Sequence, residues 1–457
     1  MTYFFETYGC QMNIAESASI EQIFIARGWT KADDPQIADI VIINTCSVRQ
    51  TAENRIFGRL GWFSGLKAVR QCQGGAKARS LEKAADYVKN GPKPLTLIVT
   101  GCMAERLLDT LKKDYPCIDY VVGTYAKKHF GEIIEAVENG ETTDQPDDSE
   151  KYQFAPLSYE PGAFTAFIPI MHGCNNFCTY CIVPYVRGRE LSRPVEEILK
   201  EIDVLSGYGV REITLLGQNV NSYNSDGDNF ASLLKKIADR IKETKSSIGW
   251  VRFMSSHPKD LSDEVIKVIS EEDVLCHHIH LPVQHGSTKV LKEMNRRYTR
   301  EDYIALVEKI RKAIPDVSLT TDLMMGFPGE TEQDVEDTLS LMKTINYENA
   351  FMYYYNLRDG TPAATYENQI PVEVKKERLQ RVIDLQLEIT TEQMKKRVGN
   401  TVKVLCESVS RDSEDELLGK TQQDERVAFK ADKKFIGSFV TVKIDSLNGN
   451  TFRGTML

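Results

Sequence analysis

The chain contains no run approaching the ~20 consecutive apolar residues that a bilayer-spanning helix needs, which argues against a membrane-spanning protein. Its opening, MTYFFETYGC, lacks the basic stretch and following apolar run of a secretion signal. No internal repeat is present, so a repeat architecture is set aside. Positive charge is also short: 57 Lys and Arg face 66 Asp and Glu, a formal net charge of −9. A broadly basic surface that coats nucleic acid is thereby excluded, whereas a local basic site for a structured RNA is not. What remains is an ordinary globular composition, 41% apolar and 27% charged. A cytoplasmic protein is expected. Disulfides rarely persist in that compartment, so the ten cysteines point to metal binding or chemistry.

At 457 residues the chain is too long for one ordinary domain, and about three are expected at roughly 100–200 residues each. The first stretch, 1–138, alternates short β-rich runs (TYFFETY, DIVIINT, LTLIVT) with helical patterns such as Ala15–Arg27 and Glu105–Lys113, the order of a parallel α/β domain. Between its second and third strands lies a basic, Gly-containing stretch, Gly61–Lys93, with Lys67, Arg70, Lys77, Arg79 and Lys83; it reads as an inserted helical excursion or a mobile loop. Residues 139–160 form a linker, because their acidic, polar start (NGETTDQPDDSE) cannot bury a core. In 161–390, six strands are expected at Phe167–Met171, Ile213–Gly217, Trp250–Met254, His278–Val283, Val317–Leu323 and Ala350–Asn356. Helices fall between them, as in a partial (βα)6 barrel open on one side. An amphipathic helix, Val372–Arg397, leads to short strands in 391–457 that suggest a small β-barrel. The fold class is α/β with that all-β tail.

The strongest chemical signal is HGCNNFCTYCIVPYVRG, which holds Cys174, Cys178 and Cys181. Three thiolates within eight residues can wrap a compact cluster of soft metal ions. A structural zinc site normally closes with four ligands, and no nearby Cys or His supplies the fourth at usual spacing. With three protein ligands, a 4Fe–4S cube keeps one iron open. The spacing CxxxCxxC, with aromatic Tyr180 before the last cysteine at the end of the first barrel strand, resembles the radical S-adenosylmethionine (SAM) superfamily. That resemblance implies that the open iron binds the amino and carboxylate groups of SAM, and that an electron from the cluster cleaves the sulfonium to methionine and a deoxyadenosyl radical. Strand-end loops then supply the rest of the cofactor site, since barrel chemistry gathers at that face. Gly217 and Gly326 would let backbone approach SAM; Gln218, Asn219, Ser256, Gln284 and Asp322 would bond its polar groups; Tyr180, Tyr185 and Phe327 would pack on adenine groups.

Cys10, Cys46 and Cys102 are far apart in sequence, yet each follows a β-rich run. The carboxyl ends of parallel strands share one edge, where ligands bind, so the three make a second three-thiolate site. The bland alternative is three small buried residues. Cys72, Cys117, Cys276 and Cys406 lack this placement and read as structural. His277, His278, His280 and His285 read as core or surface histidines rather than metal ligands.

The three parts together resemble the methylthiotransferase family, with the tail similar to its RNA-binding TRAM barrel. Residues 391–457 hold twelve Lys or Arg against ten Asp or Glu, and Lys395, Lys396, Arg397, Lys430, Lys433 and Lys434 are candidate phosphate contacts. Tyr8-Gly9-Cys10-Gln11-Met12-Asn13, Asn44-Thr45-Cys46-Ser47-Val48-Arg49 and Gly217-Gln218-Asn219-Val220-Asn221 resemble the branch that converts N6-isopentenyladenosine 37 of tRNA to its 2-methylthio form. The threonylcarbamoyladenosine branch typically reads Gly-Cys-Lys-Val-Asn at the first cysteine, and the ribosomal-protein aspartate branch Asn-Thr-Cys-Gly at the second. The resemblance implies two 4Fe–4S clusters, an auxiliary one on Cys10, Cys46 and Cys102 whose sulfur one SAM methylates, and a second SAM cleaved at Cys174, Cys178 and Cys181. It also implies a tRNA anticodon loop as partner, an electron donor such as flavodoxin or ferredoxin, a sulfur donor, no membrane and a monomer. The rival readings are methylthiolation of the other adenosine or of a protein aspartate, and a non-catalytic iron–sulfur carrier or RNA-binding scaffold.

Overall fold

The computed structural model describes residues 1–47, 50–72, 80–145 and 152–457. Val48, Arg49, Lys77, Arg79 and residues 146–151 of the expected linker lie outside these. The described chain forms two compact units, Met1–Gly173 with Ile182–Arg189, and Cys174–Cys181 with Glu190–Leu457.

The first unit is built on a parallel sheet of β1 (Thr2–Thr7), β2 (Thr30–Lys31), β3 (Ile40–Thr45), β4 (Thr96–Gly101) and β5 (Tyr120–Val122), in the order β2-β1-β3-β4-β5. Central β3, IVIINT, is buried at every position; a strand covered on both faces reads as a continuous apolar run rather than an alternating one. Helices α1 (Gln11–Ala26), α2 (Gln50–Arg70), α3 (Glu82–Tyr87), α4 (Cys102–Arg106), α5 (Leu108–Asp114) and α6 (Phe130–Glu138) supply the covers. Ile20 and Phe24 of α1 join Phe130 and Ile133 of α6 over one face, where Ile40 and Ile42 point. Ile56, Leu60 and Phe63 of α2 cover the other, with Val41 and Ile43. The basic stretch is helical over residues 61–70 and over Glu82–Tyr87. Its Arg70 is buried and donates to the carbonyls of Gln36, Ala38, Lys93 and Pro94, which ties the end of α2 to the sheet margin. Strand β6 (Thr165–Pro169) and the short α7 (Val183–Val186) also belong to this unit.

The second unit holds five of the six strands expected of the partial barrel: β7 (Glu212–Leu216), β8 (Trp250–Phe253), β9 (His278–His280), β10 (Ser318–Met325) and β11 (Asn349–Tyr354). β8 pairs in parallel with β7, and β10 with both β9 and β11. Helices α8 (Val195–Gly207), α9 (Phe230–Glu243), α10 (Asp263–Glu271), α11 (Thr288–Glu293), α12 (Arg300–Ala313) and α13 (Glu332–Ile345) fall between them. Their starts are specified locally: Thr299 with Asp302 and Thr331 with Asp334 form capping boxes. The long α14 (Val372–Lys395) leads into a closed barrel of β12 (Thr401–Val409), β13 (Glu416–Thr421), β14 (Arg426–Lys430), β15 (Phe439–Asn448) and β16 (Thr451–Met456), ordered β12-β13-β14-β16-β15. Buried Arg252 of β8 fixes this barrel: it pairs with Glu212 at 2.9 Å and donates to the carbonyls of Thr421 at 2.6 Å and Gln422 at 2.8 Å. No helix among the described residues is long and apolar enough to cross a membrane.

Candidate active site

At the carboxyl edge of the first sheet lie the three strand-end cysteines, and buried amides join the turns carrying two of them, Cys10 and Cys46. Asn13 of α1 is fully buried; its Nδ2 donates to Asn44 Oδ1 at 2.9 Å and to the Thr45 carbonyl at 3.0 Å, and its Oδ1 accepts from the Cys10 backbone N–H at 3.3 Å. Asn44 donates in return to the Asn13 carbonyl at 2.9 Å and to Ser17 at 3.0 Å. The turn carrying Cys10 is thereby locked to the end of β3 carrying Cys46. Approach is close enough that two glycines are required. A Cβ on Gly9, at φ +146°, would lie 2.9 Å from Cys46 Cβ, and one on Gly101, at φ +94°, would lie 2.3 Å from the Thr45 carbonyl oxygen. Cys46 and Cys102 are buried and Cys10 is exposed.

Charged groups gather at this edge. Arg187, from the turn after α7, is buried and donates Nε–H to Cys102 Sγ at 3.2 Å and Nη1–H to Glu16 at 2.9 Å. Lys127 pairs with the same Glu16. Burial alone would raise the Glu16 carboxyl, yet Arg187 and Lys127 hold it at about 2. Burial pushes the Cys102 thiol up, and the Arg187 guanidinium opposes it. The His172 imidazole, 3.5 Å from Arg187, is kept well below its usual range by burial and by the two cations.

In the second unit the loop Cys174–Cys181 is strapped from beneath. Asn295 donates to the carbonyls of Asn176 at 3.2 Å and Phe177 at 3.0 Å, and Thr179 bonds the Met294 and Glu293 carbonyls. Phe177 sits at φ +47°, a left-handed conformation that costs a non-glycine residue energy. Buried Arg296 stands 3.5 Å from both Cys178 Sγ and Tyr180 Oη while it donates to the Pro282 carbonyl at 2.6 Å. Burial pushes the Cys174 thiol up to about 11. Among the described residues no three His, Cys, Asp or Glu side chains converge where a single metal ion would sit. A zinc ion draws its thiolates to about 2.3 Å from one centre, whereas a cube takes each thiolate on a different iron.

The barrel-strand ends carry polar atoms that the protein does not satisfy. Gln218 Oε1, Asn221 Oδ1, Ser256 Oγ and His257 Nε2 are buried without a hydrogen-bond partner, and such groups are costly unless a ligand completes them. Burial and Arg296 push the His257 imidazole down to about 2, so it is neutral. Ser255 and Gln284, in two of these loops, have φ of +68° and +73°. Gln284 N–H bonds the Asp322 carbonyl at 2.9 Å, which joins those two expected residues. Buried Glu330 organises the Gly326 loop: it accepts from Gly326 N–H at 2.8 Å, sits 3.0 Å from His285 and pairs with Arg378 of α14 at 3.0 Å.

Three sequence expectations are modified. Asn219, expected on a cofactor, uses its amide within the protein, donating to Asp260 at 2.7 Å and accepting from His257 N–H at 3.1 Å. Phe327 is fully buried against Tyr355 and Tyr366, so it supports the loop from the core side. Arg397 is held by Glu425 at 2.7 Å, whereas Lys430, Lys433 and Lys434 are exposed. Sequence reasoning missed Asn13, Glu16, Arg187 and Arg296. For Asn13 and Glu16 the signal was polarity at positions 13, 16 and 17 on the inner side of α1; Arg187 and Arg296 lie in turns outside any periodic pattern.

Three family profiles match in succession: an uncharacterized protein family, UPF0004, over residues 2–123, the radical SAM superfamily over 168–342, and the TRAM domain over 395–457. Among solved structures, the radical SAM methyltransferase TsrM of Kitasatospora setae, with tryptophan and a SAM analog bound, shares the fold at a TM-score of 0.59 and 14% identity, covering 79% of this chain and 75% of that one. OxsB, a cobalamin-dependent radical enzyme, aligns at a TM-score of 0.51 and 11% identity over 93% of this chain and 63% of that one. A curated Treponema pallidum (strain Nichols) protein named tRNA-2-methylthio-N(6)-dimethylallyladenosine synthase is 50% identical over 100% of this chain and 99% of its own. Proteins of the same name from Treponema denticola and Clostridium botulinum (strain Langeland) are 50% and 42% identical, over 100% and 99% of this chain and 100% and 96% of theirs. With identity at this level along the full length of such relatives, the protein belongs to the radical SAM methylthiotransferase family, in the branch whose curated members are named tRNA-2-methylthio-N(6)-dimethylallyladenosine synthase.

Proposed function

We propose that the protein attaches a methylthio group to C2 of N6-isopentenyladenosine at position 37 of tRNA, with Cys174, Cys178 and Cys181 holding a radical SAM 4Fe–4S cluster and Cys10, Cys46 and Cys102 an auxiliary one. The observation that carries this reading is full-length identity of up to 50% to enzymes of that name. The bound clusters and SAM supply radical activation and methylated sulfur. The protein supplies binding, orientation and shielding. The donor sets suit these groups: thiolates suit iron–sulfur clusters, and the unpaired oxygens of Gln218, Asn221 and Ser256 suit the ammonium and hydroxyl donors of SAM. Tyr180, Gly217, Gln284, Asp322 and Gly326 complete that site in this reading, with Asn219 aligning two of its loops. Neutral His257 presents an imidazole nitrogen without charge, and Arg296 balances the thiolates around Cys178.

The lysines of the TRAM barrel, Lys430, Lys433 and Lys434 foremost, would contact RNA phosphates, and an unstacked anticodon-loop base is the part of tRNA a protein can grip by its edges. A flavodoxin- or ferredoxin-type reductant, a sulfur donor, a cytoplasmic setting and a monomeric state belong to the same proposal. The test is anaerobic reconstitution followed by reaction with tRNA that carries or lacks the isopentenyl group, read by nucleoside mass spectrometry. The expected result is 2-methylthio product only from isopentenylated tRNA. Product from threonylcarbamoyladenosine tRNA or from a protein substrate instead, or SAM left uncleaved by the reduced protein, would overturn it.

A further inference from the structure

At the first sheet edge two cations face one carboxylate. Glu16, 3% exposed at its side chain, already has Lys127 as partner, and Arg187, also 3% exposed, is a second cation on the same carboxylate. Arg187 is thus a second positive group on a carboxylate that Lys127 already faces, in a dry site where electrostatic interactions are least screened. Around the fork the structure also places the His172 ring, 3.5 Å from Nη1, and the Cys102 thiol. The geometry directs that charge. With Nη1 and Nη2 turned to Glu16, at 2.9 and 3.4 Å, the rigid guanidinium fork aims Nε–H at Cys102 Sγ, 3.2 Å away. The turn itself is fixed: Tyr125 donates to the Arg187 carbonyl at 2.8 Å, and Thr124 to that of Val186 at 3.1 Å.

We propose that Arg187 is a positioning residue that acts through Cys102 to set the reduction potential of the auxiliary cluster, with Glu16 as its counterweight. This rests on the assignment of Cys10, Cys46 and Cys102 as cluster ligands. Iron–sulfur potentials are governed by net charge and by hydrogen bonds to the sulfurs. A thiolate accepts a guanidinium N–H far more strongly than a thiol does, and adding an electron adds negative charge beside that cation. Arg187 therefore eases reduction of that cluster. Glu16 tempers the effect and holds the fork in its aim.

The test is made in the full-length C174A/C178A/C181A variant, which leaves the auxiliary site alone, by potentiometric titration followed by electron paramagnetic resonance. R187Q, R187K, E16Q and E16Q/R187Q are compared with this parent for iron content and midpoint. R187Q should lower the reduction equilibrium constant about tenfold, a shift of about 59 mV for one electron. R187K should fall between, and E16Q should shift it the opposite way, with the resonance altered in each. A prop with no electrical role would cost iron or stability without opposite shifts. Midpoints unchanged in R187Q and E16Q, or moving together, would overturn the proposal, and an unchanged midpoint in a fully loaded E16Q/R187Q variant that also matches R187Q would overturn it too. A parent that holds no iron would instead overturn the ligand assignment, and the proposal with it.

Discussion

At single positions the two sites make opposite demands, closeness at one and incompleteness at the other. Gly101 serves closeness. In G101A the methyl would meet the Thr45 carbonyl at 2.3 Å from a positive-φ backbone that is essentially glycine-only; the conformation alone costs about 1–3 kcal/mol. The expected outcome is a fall of several degrees in thermal midpoint together with loss of the auxiliary cluster's iron, and a variant with parental midpoint and iron would contradict it. Ser256 serves incompleteness. Its buried Oγ has no partner within the protein, so S256A should leave the SAM-free protein as stable as the parent, or more so, because an unmade hydrogen bond is removed. The same change should weaken SAM binding about five- to tenfold, by about 1 kcal/mol, measurable by calorimetry; unchanged affinity together with lost stability would reverse the assignment. The cysteines were legible because each closes a recognisable β-rich run. Asn13, Glu16 and Arg187 were not, because their meaning lies in contacts such as Glu16 to Arg187, 171 positions apart. On one helix a buried Glu looks no different from a solvated one.

Among elements, α14 and the C-terminal barrel do more than connect. Lys375 and Arg378 of α14 reach the Gly326 loop through the Tyr355 carbonyl and Glu330, so the helix that leads to the TRAM barrel also braces that loop. The parallel character of the first sheet was legible from runs such as IVIINT and LTLIVT, since buried parallel strands are nearly all apolar, whereas its strand order and the short strands Thr30–Lys31 and Tyr120–Val122 were not. What periodicity leaves open is how a tail barrel sits on its neighbour, because docking uses isolated polar groups such as Arg252. Glu425 of that barrel lies at such a seam, paired with Arg397 at 2.7 Å. Burial pushes its carboxyl up to about 7, with Glu348 adding to the rise and Arg397 opposing it. A carboxyl whose value rises on folding contributes its full stability below the unfolded value and loses it as pH climbs through 7. E425Q should therefore match the parent at pH 4.5 and melt a few degrees higher at pH 8. Equal midpoints at both pH values would show that the seam does not hold its proton.

For the whole molecule, the division of the chain bears on how the two sites load. Cys10, Cys46 and Cys102 lie in one compact unit, and Cys174–Cys181 count with the other although the residues on both sides of them count with the first. The bonds that shape each site stay within its own unit: Asn13, Asn44 and Arg187 at one, Asn295, Thr179 and Arg296 at the other. Neither set borrows a ligand from the other, so the sites should fill independently. Reconstituted parent should hold about eight irons per chain, two cubes of four. C174A/C178A/C181A and C10A/C46A/C102A should each hold about four, with different resonance signals that sum to the parent's. Only the second should still cleave SAM when reduced, because it keeps Cys174, Cys178 and Cys181. Each should also keep the parent's thermal midpoint in the metal-free state to within a few degrees, since alanine replaces thiols that close no disulfide. If either triple variant lost all its iron, the two sites would be one cooperative assembly, and the separation of radical generation from sulfur supply would fail with it.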